Sequence, residues 1–207
     1  MALATYNKKK RGIEQRKRKR LVFVSAEGKN KSETLYLKSF NNKDIYFKFV
    51  SGNSTDPVKM SKDLIGKMKE EGFNVKSGDL AYCIIDGDFD VNKNIQIKEA
   101  DLLSNKNNFK VILSNPCFEI WYLCHFIYST KLFTSNEAVI NKLREYVPDY
   151  RKNASNMRTK LIDRENLAIN NAKRLEEYNL KIGRRKHTIE FSPCSEMYTI
   201  IEDLANL

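Results

Sequence analysis

Four short apolar runs punctuate the first 115 residues, and between them apolar positions recur every three or four residues. Residues 20 to 26 (RLVFVSA) are apolar almost throughout, the pattern of a strand covered on both faces. A helix is predicted from Ser32 and Glu33 to about Phe40, with Leu35, Leu37 and Phe40 turned inward. DIYFKFVSG (44 to 52) reads as a second strand. Asp56 and Pro57 then open a helix as N-cap and first helical residue, Val58, Met60, Leu64, Ile65 and Met68 supply its buried stripe, and Gly72 closes it. DLAYCIIDGDFD (79 to 90) is a third strand that runs into acids. Residues 94 to 104 read as helix, FKVILSN (109 to 115) as a fourth strand, and Pro116 opens an apolar helix to about Tyr128. Strands then stop: 136 to 147, 156 to 181 and 194 to 206 read as helices, with a basic loop KIGRRKH before the last.

Strands alternating with helices imply parallel pairing through crossovers. The expected fold is therefore α/β, a mostly parallel four-stranded sheet flanked by helices over residues 20 to 130. Residues 131 to 207 add a helical extension packed on the same domain. Residues 1 to 19 lack apolar periodicity and read as a disordered, flexible basic arm. In such sheets working groups collect at the C-terminal strand ends, where strand order switches.

Charge sharpens this picture. The chain carries a formal charge of +11, and residues 1 to 20 hold nine Lys or Arg against one acid, Glu14. Such an arm suits a polyanion, most simply nucleic acid, or serves only solubility. No apolar run reaches the roughly 18 to 20 residues a bilayer requires, and LVFVSA is too short for a signal-peptide core, so a cytoplasmic protein is expected. Cys83, Cys117, Cys124 and Cys194 form no CxxC pair and read as small core residues.

The odd residues are acids at strand ends. Glu27 follows strand one, Asp86, Asp88 and Asp90 follow strand three, and Glu119 lies early in the helix after strand four. Asp86 and Asp88, two apart in an extended stretch, point the same way and repel unless a cation lies between them. Hard oxygen ligands select Mg²⁺ or Mn²⁺. Gly87 between them removes a side chain where a metal or phosphate must come close. Each acid alone has a plain structural reading, since DGD is good turn composition and Asp90 suits a cap; together at adjacent strand ends they read as a metal site.

Glu-Gly after strand one and DxD after strand three resemble the Toprim metal-binding pattern of topoisomerases, primases and OLD-type nucleases. SAEGKNKSETLYLKSF, CIIDGDFD and SNPCFEIWYLCHF further resemble the hallmark blocks of the RloB family, small proteins of prokaryotic defence and restriction loci. The resemblance runs from about residue 10 to the C-terminus, and its third block is the specific one. The first block departs from the commoner CEGEKTEPxYF, with Lys29 where an acid is usual.

The resemblance implies a Toprim/Rossmann-like nuclease or nuclease-like effector, often encoded beside an ABC-type ATPase. It assigns Glu27, Asp86 and Asp88 to the metal and adds Glu119 to the catalytic set. Glu33, Asp90 and His125 are further candidates, with His125 better read as a buried, hydrogen-bonded histidine than as a base. Phe118, Trp121, Tyr122 and Phe126 read as core. Asn115, before a helix start, can cap it or meet a phosphate. Lys29, Lys31, Asn115, Arg184, Arg185 and Lys186 are the expected nucleic-acid contacts. The expected activity is Mg²⁺- or Mn²⁺-dependent phosphodiester hydrolysis in anti-phage defence or abortive infection. The rivals are a non-catalytic nucleic-acid-binding or ATPase-associated regulator, and nucleotidyl transfer. No GxxxxGK loop argues for a self-contained ATPase.

Overall fold

The apolar runs lie side by side as one sheet. The computed structural model describes residues 18–27, 32–52 and 54–207, so most of the basic arm, with Lys29 and Lys31, falls outside the described residues. Strands β1 (Arg20–Ala26), β2 (Ile45–Phe49), β3 (Leu80–Asp86) and β4 (Lys110–Asn115) run parallel in the order β2-β1-β3-β4. The sheet has five strands among the described residues, one more than expected. Strand β5 (Cys194–Ser195) lies antiparallel beside β4, pairing Ser195 with Ser114 and Cys194 with Asn115. Two residues are too few to show a period of two, and the expected helix from 194 starts only at Met197.

Alternation along each strand builds two cores. Val22, Val24, Tyr82, Ile84 and Ile112 pack into one, while Phe23, Ala81, Cys83, Ile85, Val111 and Leu113 pack into the other. Helices α2 (Pro57–Glu70) and α3 (Lys93–Asn107) cover the second face. The first is covered by α1 (Ser32–Lys38), α4 (Glu119–Cys124), α5 (Asn136–Arg144), α6 (Met157–Leu161), α7 (Glu165–Lys181) and α8 (Met197–Ala205). Val22, Phe23 and Val24 are each 0% exposed, and burying one such side chain contributes about 1.5–3 kcal/mol. The helices change face where strand order reverses, between β1 and β3, as crossovers of one hand require.

Local signals set several boundaries. Asp56 Oδ1 accepts from the backbone N–H groups of Val58 and Lys59 at 2.8 and 2.9 Å, with Pro57 behind it. At the other end of α2, Gly72 adopts φ 68°, and Phe73 N–H returns to Met68 O at 2.9 Å, the pairing of a Schellman end. The expected long helix over 156 to 181 is broken into α6, a 3₁₀ turn at Ile162–Arg164 and α7. All four cysteines are buried and free. No helix among the described residues is long and apolar enough to cross a membrane.

The arm's last two residues are bound. Arg18 Nη2 meets Asp79 Oδ2 at 2.9 Å, and Lys19 Nζ donates to Asn42 O at 3.0 Å. Asp79 also accepts Leu21 N–H and Asn74 N–H, each at 2.9 Å, tying the start of β3 to that of β1.

Candidate metal centre

The reversal of strand order opens a crevice beyond the C-terminal ends of β1 and β3, and the acids gather there. Glu27 follows β1 directly and Asp86 ends β3. The chain then leaves extended geometry: Asp88 and Phe89 adopt φ 52° and 61°. The expected same-side pair of extended aspartates is therefore replaced by a left-handed turn, which Asp tolerates better than most residues. Asp88 N–H donates to Pro116 O at 3.0 Å, and its carboxylate meets α3 and α5.

Glu27, Glu33, Asp86, Asp88 and Glu119 line one cavity of ≈ 180 Å³ together with Ser32, Thr55, Asn136 and Lys152. Its central contact is a lysine that the sequence reading missed. Lys93 Nζ donates to Glu27 Oε1 at 2.6 Å, Asp88 Oδ2 at 2.8 Å and Asp86 O at 2.9 Å. Glu27 Oε2 accepts Asp86 N–H at 3.0 Å. Asn136 Nδ2 donates to Asp88 Oδ1 at 2.9 Å, and Tyr150 Oη to Glu119 Oε1 at 2.8 Å. Asp86 Oδ1 and Glu33 Oε2 are buried with no hydrogen-bond partner.

Burial dominates the electrostatics. It pushes the Glu27 carboxyl up, partly offset by Lys93. Glu33 is raised to about 8 by burial, and Glu119 and Glu27 add to it. Asp86 is pushed well above the carboxylate range by burial and then by Glu33, Glu27, Asp88 and Glu119. Burial alone would lower the Lys93 ammonium, but Glu27 and Asp88 more than reverse that.

Among the described residues, no three His, Cys, Asp or Glu side chains stand ready to hold a metal ion as they are. Lys93 draws Glu27 and Asp88 to itself. The donor set still fits a hard divalent cation: it is all oxygen, and three buried oxygens of the lining, Asp86 Oδ1, Glu33 Oε2 and Asn136 Oδ1, lack any donor. Asp86, Glu33 and Glu119, with Glu27 and Asp88 beside them, are the residues that would hold it.

Other candidates lie elsewhere. Asp90 is exposed, and its Oδ1 accepts Asn92 N–H at 2.9 Å, a turn contact. His125, 0% exposed, follows the end of α4, its Nδ1 2.9 Å from Trp121 O, and burial lowers it to about 4. Asn115 does not cap α4, which starts only at Glu119; its Nδ2 donates to Ile189 O and Phe191 O at 2.8 and 3.2 Å. Gly87 makes room for that same asparagine: a Cβ there would lie 2.4 Å from Asn115 Oδ1. Arg184 binds Asn179 Oδ1 and Ser192 O, and Lys186 pairs with Glu176 Oε1 at 2.6 Å. Arg185 and Lys186 line a separate, larger cleft of ≈ 670 Å³, whose Asp101 is already paired with His187.

A family model described as RloB-like protein matches residues 22–204. Neither a curated protein nor a solved structure matches the chain. The match takes in β1 from Val22, the other four strands and every residue of the acid cavity, and by it the chain belongs to the RloB-like family.

Proposed function

We propose that this chain is a Toprim/Rossmann-like nuclease that hydrolyses phosphodiester bonds with Mg²⁺ or Mn²⁺. The observation that carries the reading is the gathering of five carboxylates at the β1/β3 strand ends, two of them with donorless buried oxygens. A divalent cation bound there supplies positive charge to the scissile phosphate. The chain's own groups set the geometry. Lys93 and the Asp86 N–H hold Glu27, Lys93 and Asn136 hold Asp88, and Tyr150 holds Glu119. Glu27 serves as cation ligand or as the base that takes a proton from water. Lys152, exposed at the cavity, offers a charge to the approaching phosphate backbone, and the basic arm adds affinity without reading sequence.

The resemblance to the RloB family supports reading the chain as a cytoplasmic defence effector that acts on nucleic acid beside an ABC-type ATPase. The test is incubation of purified protein with Mn²⁺ and tRNA, single-stranded RNA, and single- and double-stranded DNA. One of these should be cut, and a folded Asp86→Asn variant should lose at least a hundredfold in rate. No cleavage of any substrate by the parent rejects the reading. A non-catalytic nucleic-acid-binding regulator, in which the acids hold a metal without turnover, is the second reading, favoured by the pairing of Glu27 and Asp88 with Lys93.

A further inference from the structure

The acid cavity holds one buried cation of its own, Lys93, while Lys152 is exposed at its lining. Lys93 is 5% exposed, and its three bonds, to Glu27 Oε1, Asp88 Oδ2 and Asp86 O, use all three ammonium protons. It is satisfied in place without water. The rest of the cavity is not. Asp86 Oδ1 and Glu33 Oε2 are buried and unpartnered, Glu33 being 5% exposed, and Glu119 is met by the Tyr150 hydroxyl and the Cys117 thiol, neither of them a cation. The carboxylates therefore fall into two sets: Glu27 and Asp88, neutralised by the lysine, and Asp86, Glu33 and Glu119, which have no internal cation in contact.

We infer that Lys93 is a tethered cation standing where a second metal ion would otherwise bridge Glu27 and Asp88, so that the cavity binds one divalent ion, on Asp86, Glu33 and Glu119. An ammonium within 2.6–2.9 Å of three oxygens occupies much the space a bridging ion would need. Being covalently attached, it forfeits little freedom on binding and resists displacement by a dilute ion. Two-metal phosphodiesterases place their ions roughly 3.5–4 Å apart over shared carboxylates. In this cavity one of those charges is supplied by the chain. Lys93 is thus a positioning residue for Glu27 and Asp88. The inference rests on the nuclease reading only for what the single ion is used for.

The test counts ions on the full chain by Mn²⁺ titration, with free Mn²⁺ read by electron paramagnetic resonance. The parent should bind one ion. Glu33→Gln should weaken that ion at least tenfold, and Lys93→Met, which keeps most of the apolar stem and removes the ammonium, should bind two. In parallel, acetic anhydride labelling read by mass spectrometry should leave Lys93 unmodified with and without Mn²⁺, while exposed Lys152 is modified. Two ions on the parent, no ion on it, labelling of Lys93 that appears only with Mn²⁺, or a folded Lys93→Met that still binds one ion would each overturn the inference. If Lys93→Met does not fold, parent stoichiometry and labelling decide alone. A parent that binds one ion yet cuts nothing removes the nuclease reading and leaves the role of Lys93 standing.

Discussion

Replacing Gly87 by alanine tests how the acid loop is built. Gly87 does not lie in the left-handed region, so a side chain costs no backbone strain there; the cost is steric. The new Cβ would meet Asn115 Oδ1 at 2.4 Å, Cγ at 2.5 Å and Cβ at 3.1 Å. Asn115 is 2% exposed and cannot swing aside freely, because its Nδ2 holds Ile189 O and Phe191 O. Gly87 N–H is itself bonded to Ser114 O at 2.9 Å, so the loop cannot lift away without loss. Two buried hydrogen bonds at about 1 kcal/mol each, with about 1–2 kcal/mol of overpacking, make the change worth roughly 3–4 kcal/mol. For a chain of this size that is a fall of roughly 6–15 °C in melting temperature. Guanidinium titration and calorimetry measure both quantities. Asn115→Ala removes the obstacle, so the double mutant should be little less stable than Asn115→Ala alone, a coupling of about 3 kcal/mol. A Gly87→Ala protein that melts with the parent, or a strictly additive double mutant, refutes the reasoning. If that stable variant also lost cleavage, the glycine would be there for an approaching ligand.

Three further outcomes follow from the same contacts. His187 lies between Asp101 Oδ1 at 2.7 Å and Glu196 Oε2 at 2.9 Å; burial would lower it, but these hydrogen bonds raise it to about 10. Its folded value is above its unfolded one, so its stabilisation, on the order of 2 kcal/mol, is complete below about pH 6.5 and is lost as pH rises through about 10. Denaturation of parent and His187→Gln across that window should show their stability difference shrinking toward alkaline pH. Tyr150→Phe should destabilise by about 1–2 kcal/mol by stripping the donor from buried Glu119, and Mn²⁺ should raise its melting temperature more than it raises the parent's. Deleting residues 1 to 17 should spare the fold while flattening the salt dependence of nucleic-acid binding, whereas Arg18→Ala should lower the melting temperature by unpairing Asp79; equal melting of parent and Arg18→Ala would count against that anchor.

How far the sequence could be read depended on the range of the interaction. Strands buried on both faces, such as Val22–Val24, declare themselves locally, and so does a capped helix such as α2. Glu27, Asp86 and Glu119 were conspicuous because acids at the ends of apolar runs gain nothing from packing. Glu33, read only as a further candidate, lines the same cavity. The partners of these acids were not conspicuous. Asn136 reaches Asp88 across 48 residues and Tyr150 reaches Glu119 across 31, and nothing in either neighbourhood announces it. Lys93 did leave a trace. It opens α3, where the positive end of the helix dipole disfavours a cation, so a lysine there needs an acid. The turn at Asp88 was hidden for another reason: alternation holds only while the chain stays extended, and DGD is as good a turn as a strand end.

The pattern of satisfaction within the cavity bears on what the cavity is for. Grouping five carboxylates at one sheet edge opposes folding, and the fold answers with donors from three separate elements or loops: Lys93 and Asn136, which open α3 and α5, and Tyr150 beyond α5. Two of these donors lie between residues 136 and 150, so the helices after residue 131 contribute directly to holding the acids of the α/β sheet. Had selection acted only for stability, a further donor or an apolar replacement at Glu33 would have removed the remaining cost. Glu33 is instead retained with an unpartnered oxygen beside an equally unpartnered one on Asp86. Oxygens left without a donor are where an external cation would add most to stability, so the proposed ion is expected on the Asp86 side of the cavity, beside Glu33.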